Sequence, residues 1–281
     1  MNHEAKHAES SAIADDENRV PAVIVDKRKI QLTPASEVKK IRSRGLPDWE
    51  LLTVLQPGKG LRFLYLFSGP DNRPDGINTY CEALGASVDC FDKRYIDERK
   101  HDLVDEDNWE VVNGKLTKKI YHGGVASPPC RSMSELRERS VRDGGPRVVR
   151  GPEPPDLYGL PNLDPEEKDL VRCDNMLFCR SGCMARSFLD CGYVMRKGAK
   201  VWLPWLLEQP LRKEGKPHAF NLKWILPLHD HEAVSDEDIA QCNAGAATTK
   251  PTSLRATFKT GIDPDCKHPC RWWTIPWSGH S

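Results

Sequence analysis

The chain has 281 residues, enough for one large domain or two small ones. Its 41 Lys and Arg balance 41 Asp and Glu, which excludes a global positive field as the source of any nucleic-acid affinity. No uninterrupted apolar run approaches the roughly 20 residues that span a bilayer, so no membrane partner is expected. The ten cysteines are scattered without a repeated C-x-x-C and no apolar leader opens the chain. That usage points to free thiols in a reducing intracellular compartment, nucleus or cytoplasm.

Residues 1–20 are polar, carry mixed charge and lack a periodic apolar face, so disorder is expected there. Residues 21–58 read as an N-terminal extension, with a short strand at Ala22 to Val25, a short helix at Ser36 to Arg44 and a linker-like approach from Pro47. An α/β domain is expected over 59–230, followed by a segment over 231–281 that completes or caps it.

Leu61 to Phe67, LRFLYLF, is a nearly continuous apolar run of the kind found in strands buried on both faces, and it stops at Ser68 and Gly69. Ile77, Tyr80, Cys81 and Leu84 then fall at helical spacing, with Gly85 as the closing residue. Ser87 to Phe91 is a second strand ending at Asp92, completing a β-α-β unit with a right-handed crossover. Asp102 and Leu103, after His101, are a third candidate strand end before a short helix at Glu106 to Val112.

The stretch Ile120 to Ser134, IYHGGVASPPCRSMS, is a short apolar strand that breaks at Ser127, Pro128, Pro129 and Cys130. Two prolines fix two φ angles and disfavour helix before each, so Cys130 leaves the strand on a rigid backbone. A cysteine there is a nucleophile if its thiolate is stabilised, or a small apolar residue at a strand end. Residues 131–165 are long and irregular and carry Arg131, Arg137, Arg139, Arg142, Arg147 and Arg150. Such a basic stretch reads either as a mobile lid that meets phosphate or as a solvated loop.

Asp164-Pro165-Glu166-Glu167 has the order of N-cap, proline at the first helical position and capping-box acid, so a helix starts there and runs to about Leu189. Cys173, Cys179, Cys183 and Cys191 lie on it or just after it, at spacings that match no common zinc pattern. Val201 to Leu207, VWLPWLL, reads as a buried strand delivering Glu208 to the same carboxyl edge as Cys130. A helix candidate at Asp236 to Cys242 follows, then Lys250-Pro251-Thr252. The tail holds Cys266, His268, Cys270, Trp272, Trp273 and Trp277, where tryptophan packing is the default and a zinc site the alternative.

A turn at Phe67-Ser68-Gly69, an acid at Asp92, the pair Asp102-Leu103, Pro128-Pro129-Cys130 and Glu208 thus follow one another at strand ends. In that order they resemble the carbon-5 cytosine methyltransferase family, over about 61–130 and 200–210. The resemblance implies an α/β, Rossmann-like methyltransferase sandwich with a mostly parallel central sheet, using S-adenosylmethionine. It implies that Phe67, Ser68, Gly69 and Pro128 border the cofactor, that Asp92 binds its ribose hydroxyls and that Asp102 and Leu103 meet the adenine. Cys130 becomes the thiolate that adds to carbon-6 of cytosine, and Glu208 the acid that hydrogen-bonds ring nitrogen 3. The partner is then nucleic acid, DNA ahead of RNA, met by Arg131, Arg137, Arg139, Arg142 and Lys250.

The chain also departs from the family. Pro-Asp-Asn-Arg-Pro-Asp separates Gly69 from Gly76, Gln209-Pro210 stands where Asn-Val is usual, and Cys130 and Glu208 are 78 positions apart. Gln241-Cys242 is the nearest substitute for the family's Gln-Arg pattern. Two other readings therefore stay open. One is an amino-methyltransferase using Ser127-Pro128-Pro129-Cys130 as a variant Pro-Pro-aromatic motif. The other is a catalytically degenerate domain that binds nucleic acid or a protein partner.

Overall fold

The apolar run at Leu61 to Phe67 forms β1 (Arg62–Leu66) in the computed structural model of the chain, with Leu64 and Leu66 wholly buried. The structure describes residues 60–69, 77–93, 101–133, 137, 146–196, 198–241 and 251–262. The elements expected before residue 59, the side chains of Arg139, Arg142 and Lys250, and the tail with Cys266, His268 and Cys270 lie outside the described residues.

After β1 comes α1 (Ile77–Ala83), closed by Gly85 at φ 87°, and then β2 (Ser87–Phe91) on one side of β1. The next helix, α2 (Glu106–Thr117), leads to β3 (Gly123–Ala126) on the other side of β1. The long α3 (Pro165–Asp190) precedes a hairpin of β4 (Tyr193–Arg196) and β5 (Ala199–Trp202), and then β6 (Trp205–Pro210). Two 3-10 turns, Ala219–Asn221 and Leu226–Asp230, separate β6 from β7 (Ser235–Ala240), and β8 (Pro251–Ala256) follows.

The main sheet has the order β2-β1-β3-β6-β8-β7. Its first four strands are parallel, and β8 runs antiparallel to both β6 and β7. This is a mixed α/β fold with a mostly parallel six-stranded sheet, compatible with a Rossmann-like architecture. The chain steps one way from β1 to β2 and the opposite way from β2 to β3, so right-handed crossovers put α1 and α2 on opposite faces. Because α3 packs on α2, β3 and β6, it shares the face of α2. No helix among the described residues is long and apolar enough to cross a membrane.

Local chemistry sets these elements. Asp105 starts α2 by accepting from Asn108 N at 3.1 Å. The expected capping box starts α3: Asp164 accepts from Glu167 N at 2.8 Å, and Glu167 accepts from Asp164 N at 3.1 Å. Glycines in β3 let the layers meet closely. A Cβ on Gly124 would lie 2.5 Å from the Phe188 ring, and one on Gly123 would lie 2.7 Å from the Phe63 ring and the Pro204 carbonyl. Hence Phe188, Met184 and Phe178 of α3 share one core with Leu64, Leu66, Trp205 and Leu207.

Three expectations change. Asp236 to Cys242 holds the strand β7, not a helix, because residues 235–240 pair along their length with β8. The Asp236 carboxylate also takes Nε and Nη2 of the buried Arg255 on β8, at 2.6 and 2.7 Å. Second, Val201 to Leu207 is not one strand: Leu203 and Pro204 divide β5, which pairs only with β4, from β6 in the main sheet. Pro204 has no N–H for a ladder, while its carbonyl accepts from Gly124 N at 3.0 Å. Glu208 accordingly lies inside β6, paired with Leu254, and not beyond the strand's end. Third, no strand among the described residues leads into Asp102 and Leu103. They form a turn in which Asp102 Oδ1 accepts from Val104 N at 2.9 Å.

On β2, Asp89 accepts hydrogen bonds from Arg62 Nη2 of β1 and Lys115 Nζ of α2, both at 2.9 Å, and from the Tyr121 hydroxyl at 2.8 Å. Burial pushes its carboxyl up, but the donors outweigh burial and hold it below the ordinary 3.8. A carboxylate held below its unfolded value contributes stability at neutral pH that is lost as pH falls through the acid range, below about 4. Asp89→Asn is expected to cost about 1–3 kcal/mol in urea denaturation at pH 7. It should also lose less of its remaining stability than the wild type when the measurement is repeated near pH 3.

Candidate active site

Leu66 of β1 pairs with Phe91 on one side and Ala126 on the other, and Ala126 in turn pairs with Leu207 of β6. Four neighbouring parallel strands are therefore level, and Asp92, Phe67, Ser127 and Glu208 are the next residue on each. Because the chain leaves β1 toward β2 and returns to β3, the gap between β1 and β3 is the topological switch point, where open α/β sheets hold ligands. The structure brings Phe67, Ser68, Gly69, Asp92, Pro128, Cys130 and Glu208 to this one edge. Leu103 is instead a core residue, 2 % exposed, whose carbonyl accepts from Arg180 Nη1.

The turn after β1 is tightly held. Phe67 N donates to Phe91 O at 2.6 Å, and Phe67 has φ 63°, a left-handed conformation that a bulky residue rarely adopts. Gly69, at φ 78°, donates its N–H to Asp92 Oδ2 at 2.9 Å. The acid at the tip of β2 thus holds the glycine at the tip of β1. Ser68 between them is buried.

On the other side of the switch point, Ser127 N donates to Leu66 O at 3.2 Å. The Pro128 carbonyl accepts from Gln209 Nε2 at 3.0 Å, and the same nitrogen donates to Glu208 O at 2.7 Å. Gln209 is 2 % exposed, and its Oε1 is buried with no hydrogen-bond partner among the described residues. Glu208 Oε1 accepts from Gln241 Nε2 at 3.4 Å, so a residue just after β7 reaches the candidate acid. Next to Gln209 lies a crevice of about 20 Å³, lined also by Met133, Lys213, Lys216 and His218. Burial drives the His218 imidazole down to about 4, so it is neutral at physiological pH and its Nε2 donates to Pro210 O at 2.8 Å.

Cys130 is half-buried and begins a turn closed by Met133 N donating to its carbonyl at 2.9 Å. Within that turn, Ser132 donates to Asp174 Oδ2 of α3 through both N, at 3.0 Å, and Oγ, at 2.6 Å. Arg150 Nε donates to Ser132 Oγ at 2.9 Å, and Arg150 Nη1 donates to Leu157 O at 2.7 Å and Asn175 Oδ1 at 2.8 Å. Burial pulls the Arg150 guanidinium down to about 10, against the opposing pull of Asp174, and leaves it charged at neutral pH.

The described arginines of the basic stretch are held by local partners. Arg137 donates to the Arg131 carbonyl at 2.8 Å and the Arg147 carbonyl at 2.9 Å, joining the two ends of the loop. Arg147 pairs with Glu167 and donates to Asn162 O at 2.7 Å. Arg131 keeps 55 % of its side chain exposed, with Nη2 3.5 Å from Asp174 Oδ1. Arginine is the side chain best able to tie several carbonyls at once, and here that use competes with phosphate contact.

Sequence reasoning missed Gln209, Ser132 and Asp174. Asp174 did leave a signal, since it falls at helical spacing among the buried Val171, Leu177 and Phe178, where a carboxylate requires partners. Gln209 left none, because its partner is a carbonyl 81 positions away. Compared with known proteins, the chain matches no family model, no curated protein and no solved structure.

The Gln209 amide holds the Pro128 carbonyl in a buried place, so removing it leaves that carbonyl without its side-chain donor. Gln209→Leu is expected to destabilise the fold by about 1–2 kcal/mol in chemical denaturation. It should also raise the rate at which Cys130 is alkylated in the folded protein, measured by peptide mass spectrometry. An unchanged Cys130 rate would mean that the hydrogen bond does not restrain the turn.

Proposed function

We propose that the domain is a methyltransferase-like transferase that uses S-adenosylmethionine to methylate carbon-5 of cytosine in nucleic acid. The observation that carries the reading is the level row of strand ends. Cys130 lies in the turn after β3 and Glu208 on the neighbouring β6, while the Phe67-Ser68-Gly69 turn and Asp92 follow β1 and β2 at the same carboxyl edge. The first pair suits a base and the second a nucleoside-type ligand.

The residues present fit such a ligand. Gly69 offers backbone without a side chain at the switch point, and Asp92 supplies a carboxylate of the kind that accepts ribose hydroxyls at the tip of a second strand. Phe67, Ser68 and Pro128 would border the same ligand. When bound, S-adenosylmethionine supplies an electrophilic methyl group. The chain's own part begins with Cys130, whose thiolate would add to carbon-6 of cytosine and give carbon-5 enamine character. Glu208, oriented by Gln241, would hydrogen-bond ring nitrogen 3 and draw electron density through the ring. In a duplex the base would first leave the stack at a cost of about a few kcal/mol, and Arg131 stands on the turn beside the thiol for a phosphate contact.

A degenerate binding module is the second reading. It is favoured by the commitment of one Asp92 carboxylate oxygen to the Gly69 amide and of Arg137 and Arg147 to backbone carbonyls. Such a module would bind nucleic acid in a salt-sensitive way without cofactor affinity.

Calorimetric titration with S-adenosylmethionine and its demethylated product separates the two readings. Under the enzyme reading the wild type binds saturably and Asp92→Ala weakens binding by about tenfold or more, roughly 1.4 kcal/mol. Absence of binding in both proteins transfers the case to the binding module. For the chemistry, Cys130→Ala is expected to abolish methyl transfer and covalent trapping by an oligonucleotide carrying 5-fluorocytosine. Trapping that survives the substitution removes Cys130 from the mechanism.

A further inference from the structure

We infer that Asp174 is the positioning residue of the Cys130 turn. Through Ser132 and Arg131 it presents the thiol and a guanidinium together to one anionic substrate, a nucleotide whose phosphate meets Arg131 while its base meets Cys130. The nucleotide rests on the proposed function above; the positioning rests on the geometry alone.

Asp174 is wholly buried on the apolar face of α3. A carboxylate in that place is costly unless its charge and lone pairs are matched, and its own helix supplies none of the match. Oδ2 takes both donors of a single loop residue, Ser132 N and Oγ. Oδ1 has no hydrogen bond among the described residues, and the Arg131 guanidinium stands 3.5 Å from it in an ion pair. The hydroxyl between the charges has one arrangement. Arg150 can only donate, so Ser132 Oγ accepts from Arg150 Nε and gives its own proton to Asp174.

Cys130 is thereby pinned from both directions. Two residues before it, the Pro128 carbonyl is held by Gln209 of β6; two residues after it, Ser132 is held by Asp174 of α3. The sheet and a helix layer each own one side of the turn. Two guanidiniums around one carboxylate leave a net positive charge against the turn that carries Cys130. Arg150 is enclosed, whereas the Arg131 side chain is more than half exposed. The other charged groups at this edge, among the described residues, include Asp92 after β2, Glu208 on β6, and Lys213 and Lys216 in the segment that lines the crevice against Met133.

Site-resolved alkylation of the folded chain with iodoacetamide, mapped by mass spectrometry from about pH 6 to 9, tests the positioning without nucleic acid. Asp174→Asn keeps the shape and removes a negative charge, so the thiolate is favoured and the alkylation midpoint of Cys130 should fall by about one pH unit. Cys81, on α1, should keep its midpoint. A Cys130 midpoint that stays in place, or that moves together with that of Cys81, overturns the positioning role. If Asp174→Asn does not fold, Ser132→Ala decides: it should accelerate Cys130 alkylation severalfold, with Ser132→Thr restoring the wild-type rate, and an unchanged rate overturns the role.

The substrate class is tested with a short cytosine-containing single strand. Arg131→Gln and Asp174→Asn should each weaken binding by about tenfold, and the double variant should be no weaker than either, because the two residues act as one unit. Additive losses overturn the joint presentation. Failure of the wild type to bind the strand refutes the nucleotide and leaves the alkylation result to judge the positioning.

Discussion

The register of β1 against its two neighbours governs the rest of the structure. Leu66 is level with both Phe91 and Ala126, and parallel pairing carries that level across to Leu207 of β6. A slip of one residue on β3 would turn its side chains to the opposite face. It would also push the Gly124 position away from Phe188, against which only a glycine fits. Register and helix packing therefore enforce each other. The strand ends stay level because α3 can lie close to β3 only where Gly124 stands.

From that level edge the structure builds with buried charge as well as with apolar packing. Arg150, Asp174 and Arg255 are each buried, and each is matched by partners from a distant part of the chain. Such pairs seldom add net stability, because desolvation offsets most of the attraction, but a loop that supplies the only match to a buried charge has few alternative conformations. Arg255 with Asp236 ties β8 to β7, and its Nη1 reaches the Ile225 carbonyl at 2.9 Å. Asp174 with Ser132 and Arg150 ties the turn after β3 to α3. Each device also reaches an irregular segment, the stretch at Ile225 or the turn after β3, which the apolar core alone would leave loosely defined.

Much of this architecture was legible in the sequence where the signal was local. The apolar run of β1, the capping box of α3 and the Gly85 stop of α1 each depend on neighbouring residues, and each stands close to its expected position. Long-range pairing was not legible. Asp236 to Cys242 carries polar residues with little strand character, and it is a strand because β8 lies beside it. The run Val201 to Leu207 reads as one strand until Pro204 is given its structural weight, and it conceals the end of β5 and the start of β6. At the candidate site, the residues named after β1, β2 and β3 and on β6 share one edge, whereas Leu103 lies in the core. The residues that hold them, Gln209 and Asp174, act across 81 and 42 positions, and spacing carries no trace of such contacts.

The wide interval between Cys130 and Glu208 acquires a physical reason from the same pairing. Strands β3 and β6 are adjacent and parallel, so the chain must return to the amino end of the sheet between them, and α3 makes that return. The loop before α3 and the hairpin after it lengthen the path without moving either end of it. Arg137 joins the two ends of the loop, and the Asp174 carboxylate of α3 meets the residue after Arg131. An insertion that merely filled space would have no need of a buried charge beneath the cysteine turn. The placement of Asp174 thus makes the long connection part of the candidate site's construction, and the distance along the chain is what allows a helix to stand behind the turn that carries Cys130.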